Sequence, residues 1–161
     1  MAKAIEEPES SLKEGDKAPE ITLDTDTGEP FRLSSLKGKN VVLYFYPKAD
    51  TPGCTKEACE FRDTSKKFTK ANTVIVGVSP DTSKAQFKFK EKFDLPFTLL
   101  ADKEHTAAEA FGVWKEKSMY GKKYMGVERS TFVIDTKGII KKIFPKVKVE
   151  GHAEEVLAAL G

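Results

Sequence analysis

The run Pro47-Lys48-Ala49-Asp50-Thr51-Pro52-Gly53-Cys54 decides how this chain is read, with its only other cysteine, Cys59, five residues on. It follows an apolar stretch, Val41 to Tyr46, that reads as a buried strand. It leads into Thr55 to Phe68, which reads as an amphipathic helix. A cysteine at a strand-to-helix junction, behind a capping residue and a Pro-Gly pair, is placed for thiolate chemistry. Thr51 stands where an N-cap belongs, and Pro52 takes the first helical position, where its missing N–H costs nothing. Cys54 is then the third helical residue, near unpaired backbone N–H groups and the positive end of the helix dipole. Both favour thiolate over thiol. Gly53 leaves the backbone bare beside the sulfur, so a small substrate could approach the N–H groups closely, and Pro52 and Gly53 are the candidate substrate-binding residues.

Ionisation alone explains little rate. A free cysteine is already a few per cent thiolate at neutral pH, so complete ionisation gains only about 30-fold. Intrinsic nucleophilicity also falls as the thiol becomes more acidic. A large acceleration therefore needs donors that stabilise charge developing on the substrate. Arg129, just before the run Ser130–Asp135, is the candidate for a second donor, although taken alone it reads better as a surface ion-pair residue.

Cys59 adds a geometric constraint. On an ideal helix, residues five apart have Cα atoms roughly 8.7 Å apart, beyond the limit of about 7 Å for a disulfide. Cys54 and Cys59 cannot bridge while the helix is intact, so a bond between them requires its first turns to unwind. From the residues alone Cys59 has two readings. It is a core thiol beside Ala58, Phe61 and Phe68, or it is a second redox thiol. The C-x-x-C spacing of an ordinary dithiol reductase is absent, and C-x4-C with both histidines remote is a poor zinc set.

Beyond the junction the chain alternates. Strands are expected at Val41–Tyr46, Thr73–Ser79, Phe97–Leu100, Ser130–Asp135 and Ile139–Phe144. Helices are expected at Cys54–Lys70, Ser83–Phe93, Thr106–Phe111 and His152–Leu160. Ile21-Thr22-Leu23 and Phe31-Arg32-Leu33 flank Asp26-Thr27-Gly28, a hairpin signal. Strands separated by helices should be parallel, and the pair around Thr136-Lys137-Gly138 antiparallel. The expected architecture is α/β, a thioredoxin-like mixed central sheet with helices on both faces and an N-terminal hairpin. Residues 1–14 read as a loose arm and residues 15–161 as one domain. Phe89 is expected to fall off the face shared by Phe87 and Phe93, His105 and His152 to lie at the surface, and residues 114–126 to form a loop. Trp114, Met119, Tyr120 and Met125 either line a substrate entrance or pack.

Composition narrows the class. A chain of 161 residues with net charge +2 gives no argument for nucleic acid or a membrane surface. No apolar run approaches the roughly 20 residues of a membrane span, and the polar, acidic start has no signal-peptide core. Two cysteines are too few for a secreted disulfide scaffold, so a reducing compartment, most simply the cytoplasm, is expected.

With Pro47, Thr51, Cys54 and Arg129 in view, the chain resembles a peroxiredoxin, whose motif P-x-x-x-T-x-x-C stands here at Pro47 to Cys54. More narrowly, "YFYPKADTPGCTKEACEFRD" with Cys59 in the same helix is similar to the bacterioferritin comigratory protein group, also called peroxiredoxin Q. "GVSPD" at 77–81, "YGKKYMGVERSTFVID" at 120–135 and "VKVEGHAEEVL" at 147–157 fit that group. The resemblance implies a thiol peroxidase for hydrogen peroxide and organic hydroperoxides. Cys54 would be the peroxidatic cysteine and Cys59 the resolving one. Thr51 would bond peroxide and thiolate, Pro47 would shield the pocket from water, and Arg129 would hold thiolate and peroxide in line. It further implies no metal, flavin or haem, a dithiol reductant such as thioredoxin, and a monomer. Two rivals stay open: a general thiol–disulfide oxidoreductase on the same fold, and a non-catalytic binding module.

Overall fold

The computed structural model describes residues 12–160. In chain order the elements are β1 (Thr22–Thr25), β2 (Pro30–Arg32), β3 (Asn40–Phe45), α1 (Pro52–Lys70), β4 (Thr73–Ser79), α2 (Ser83–Phe93) and β5 (Thr98–Ala101). Then come α3 (Thr106–Ala110), β6 (Trp114–Met119), β7 (Lys122–Val127), β8 (Ser130–Ile134), β9 (Ile140–Phe144) and α4 (His152–Ala159). Among these residues one seven-stranded sheet runs in the order β2-β1-β5-β4-β3-β8-β9. β3, β4 and β5 are parallel, as the intervening helices require, and β8 and β9 pair antiparallel. The N-terminal hairpin joins the sheet antiparallel to β5.

The run Val41 to Tyr46 is apolar throughout because both faces of its strand are covered. Val41, Leu43 and Phe45 point into a cluster with Ala107, Ala108 and Phe111 of the α3 region. Val42, Tyr44 and Tyr46 point into the opposite cluster with Ala58, Phe61 and Phe68 of α1, Phe89 of α2, and Ala153 and Val156 of α4. Tyr44 fits because β4 presents Gly77 beneath it, where an added Cβ would lie 3.0 Å from the ring. The expected thioredoxin-like layering is thus realised, with element ends displaced by a residue or two.

Four sequence expectations are corrected. Residues 114–126 are not a loop: β6 and β7 form a separate antiparallel ribbon, closed at Tyr120 and Gly121, both with positive φ (53° and 80°). Its strands are lysine-rich and largely exposed, so no apolar alternation marks them. Met119, Tyr120 and Met125 are correspondingly exposed, while Trp114 is half-buried and stacks on His105 at 4.0 Å. In α2 the odd aromatic is Phe87, 43% exposed. Phe89 is buried and packs on Phe93, its i+4 neighbour.

His152 is buried rather than superficial. Phe61 and Phe144 flank its ring, which shares hydrogen bonds with Thr131 Oγ1 at 2.8 Å and Glu155 Oε1 at 2.9 Å. Burial pushes its pKa below the usual histidine value, against the pull of Glu155. Finally, most of the expected arm lies outside the described residues, but residues 12–14 belong to the packed structure. Leu12 rests on the core and Glu14 accepts a hydrogen bond from the Ile143 N–H.

Candidate active site

The chain leaves β3 at Phe45 and crosses five residues, Tyr46 to Asp50, before Thr51 caps α1. Asp50 turns the loop in the left-handed region (φ 62°), and Lys92 of α2 holds its carboxylate at 3.0 Å. The Ala49 N–H donates to Asp81, whose carboxylate also accepts from Ser79. Thr51 occupies the N-cap in an extended conformation, as expected, but its hydroxyl does not cap the helix. It donates instead to the Lys48 carbonyl at 2.8 Å. The first helical N–H groups are therefore left without a side-chain acceptor from the cap. Pro52 is N1 and exposed, and Cys54 is N3 with its side chain buried. Pro47 is half-buried at the end of the strand.

Arg129 reaches this point from the start of β8. Its Nη2 donates to Cys54 Sγ at 3.4 Å and its Nη1 donates to Glu57 Oε1 at 2.7 Å. Gly53 matters differently from the expectation. A Cβ there would stand 3.3 Å from Arg129 Nη2, so the glycine makes room for the guanidinium beside the sulfur. Burial alone would lower the arginine pKa, but Glu57 and Cys54 outweigh it and the guanidinium holds its proton more firmly than usual. Lys117 of β6 is half-buried nearby. Its own desolvation, and then repulsion from Arg129, lower its pKa.

Glu57 escaped the sequence reading. It lies on α1 one turn after Cys54, 1% exposed, with Oε2 lacking any hydrogen-bond partner among the described residues. The available signal was a lone carboxylate at i+3 from the cysteine, on the same helix face as Ala58 and Phe61. Burial drives its pKa from 4.5 up to about 7, although Arg129 pulls the other way. Between about pH 4.5 and 7 the folded chain holds a proton that the unfolded chain has released, so this group's contribution to stability falls as pH rises through that window. The loss is on the order of 3 kcal/mol. Glu57→Gln is expected to flatten that slope when urea unfolding is followed from about pH 5 to about pH 7.5. An unchanged slope would assign the titration to another group.

Both cysteines are free. Cys54 is buried and Cys59 is half-exposed, on a helix that runs unbroken from Pro52 to Lys70. Cys59 is thus not the core residue that one reading allowed, whereas Ala58, Phe61 and Phe68 are. The structure brings Thr51, Pro52, Gly53, Cys54 and Arg129 together at one junction. Cys59 stands apart along α1.

The sequence model of the AhpC/TSA family matches residues 14–143. Peroxiredoxin Bcp of Bacillus subtilis is 55% identical over 150 residues, covering 93% of this chain and 96% of that protein. The structure of Xanthomonas campestris Peroxiredoxin Q superposes with a TM-score of 0.84 at 43% identity, over 87% of this chain and 89% of that one. A second Xanthomonas campestris structure, of the Bacterioferritin Comigratory Protein described for its alkyl peroxide reduction activity, matches at 0.84 and 42% identity over the same shares. The Pro47-to-Cys54 junction, the arginine on its sulfur and these similarities across the chain agree: this protein belongs to the AhpC/TSA family and is a peroxiredoxin of the Bcp/peroxiredoxin Q group.

Proposed function

We propose that this peroxiredoxin reduces hydrogen peroxide and organic hydroperoxides through Cys54, and that Cys59 resolves the product as an intramolecular disulfide. One observation carries the reading: a single guanidinium bonds both the Cys54 sulfur and the buried Glu57 at an uncapped helix start. The thiolate attacks one peroxide oxygen, an S–O bond forms and the O–O bond breaks. The departing alkoxide or hydroxide takes a proton from solvent and leaves as alcohol or water. Arg129 and the helix-start N–H groups stabilise the charge on the departing oxygen, while the Thr51 hydroxyl oxygen, its proton given to the Lys48 carbonyl, accepts the hydroperoxide O–H. Pro47 screens the loop side of the pocket, and Pro52 and Gly53 border its mouth.

Cys59 then attacks the Cys54 sulfenic acid, an S–S bond forms and water is released. A dithiol reductant, for which thioredoxin is our reading, restores both thiols. The chain works as one domain over residues 15–161, as a monomer in a reducing, cytoplasmic setting. No helix among the described residues is long and apolar enough to cross a membrane. The activity on alkyl peroxides ascribed to the Xanthomonas relative supports the substrate class.

Intact-mass analysis after one equivalent of hydrogen peroxide tests the scheme. Wild type should lose two hydrogens, Cys59→Ser should yield a trappable sulfenic acid, and Cys54→Ser should consume no peroxide. Normal turnover by Cys54→Ser would sink the assignment.

A further inference from the structure

If Cys54 and Cys59 form a disulfide, α1 must open between them, and what holds the opening segment differs at its two ends. At the N-terminal end the Thr51 hydroxyl faces Lys48 rather than the helix, and Pro52 and Gly53 are exposed. Two ties act there: the Lys92–Asp50 pair, with side chains 60% and 45% exposed, which holds weakly, and Arg129, which bonds Cys54 Sγ at 3.4 Å and Glu57 Oε1 at 2.7 Å and must let go of Cys54 before the segment opens. At the C-terminal end Ala58 and Phe61 are fully buried, and Arg62 adds a specific clamp. Arg62 lies one turn after Cys59 on the same face of the helix. Its Nη1 donates to the carbonyl of Phe93 at 2.8 Å, and its Nε to Asp63 at 3.0 Å.

Phe93 is the last residue of α2, where carbonyls lack helical partners and a cation is favoured. The clamp therefore joins α1 to α2 through a charge-assisted bond, immediately beyond the segment that must unwind. The hydrogen bond to Asp63 raises the pKa of this guanidinium, which keeps its proton firmly.

We propose that Arg62 is a positioning residue for the resolving step: pinned to the end of α2, it keeps Cys59 in place while residues 51–57 unwind and carry Cys54 to it. The inference rests on the two-thiol cycle proposed above. Arg62 touches neither peroxide nor the Cys54 sulfur. It acts by stopping the unwinding at Cys59, so that the second thiol is presented from a fixed helix stub. Without it the opening spreads along α1, and Cys59 must find the sulfenic sulfur from a mobile segment.

Rapid-quench mass analysis of the full chain separates the two steps, gain of one oxygen on Cys54 and loss of water as the disulfide closes. In Arg62→Gln the first step should stay within about twofold of wild type and the second should slow roughly tenfold, the worth of one charge-assisted bond. Sulfinic acid on Cys54 should then appear at lower peroxide, because the sulfenic acid lives longer. Arg62→Lys, which keeps a cation but not the planar fork, should recover part of the rate. Hydrogen exchange on the disulfide form should show residues 62–70 protected in wild type and open in Arg62→Gln.

An unchanged second step, or equal slowing of both steps with a general loss of protection, would overturn the positioning role. If wild type itself consumed peroxide without forming the Cys54–Cys59 bond, the two-thiol cycle would fail, and this inference with it. Variants that match wild type while wild type completes its cycle would remove this inference alone.

Discussion

Arg129→Met should lower the rate of peroxide reduction by about 10²- to 10³-fold, the usual loss for a preorganised donor to a developing oxyanion. Such a loss exceeds what thiolate population can supply, since full ionisation gains only about 30-fold at neutral pH. The geometry explains the size: Nη2 stands 3.4 Å from the sulfur, where an attacked peroxide must also lie, and Nη1 is fixed by Glu57 at 2.7 Å. Arg129→Lys should recover little, because one ammonium cannot reach both partners in a planar fork. The variant should still fold near neutral pH. Glu57 already titrates at about 7, and losing its cation pushes it further toward the neutral acid instead of leaving a buried charge. Stopped-flow peroxide consumption, with circular dichroism as the folding control, measures this. A rate within about threefold of wild type would remove Arg129 from the chemistry.

Phe61→Ala should be the most damaging substitution for stability, costing about 3–5 kcal/mol. The ring is fully buried between α1 and the sheet, with Tyr44 at 4.7 Å, Phe68 at 5.9 Å and His152 at 6.0 Å between centroids. Neighbours from β3, α1 and α4 cannot all collapse into the space it leaves, so the cavity term adds to the lost transfer energy. For a domain of this size the melting temperature should fall by roughly 6–20 °C. The damage should extend to peroxide turnover, since Phe61 lies one turn beyond Glu57 and sets how α1 presents Cys54. A loss below about 1.5 kcal/mol would mean the site repacks, contrary to this account.

How much was legible depended on whether a residue's role followed from its neighbours in sequence. The strand-to-helix junction was legible because apolar continuity, the cap position, Pro52 at N1 and helical spacing are all local signals. The β6–β7 ribbon was not, because its strands face solvent with lysines, and only the Tyr120-Gly121 turn marked it. His152 looked superficial because nothing local reveals that α4 crosses α1 and lays the ring against Phe61 and Phe144. Glu57 was half legible: its spacing from Cys54 put it on the buried face, but a glutamate in a charged helix reads as solvated until its cation is found.

Local chemistry alone determined that Cys54 begins a helix, that Gly53 and Pro52 flank it, and that Cys59 cannot bridge to it while the helix is whole. Tertiary structure decided what stands opposite the sulfur. β8 pairs antiparallel with β3 in the register that sets Ser130 against Phe45, so the preceding residue, Arg129, arrives where the chain turns toward α1. That contact spans 75 positions of sequence, and no local periodicity carries it. A ladder of backbone hydrogen bonds, specified by which faces of two strands must be buried, places the guanidinium on the thiol.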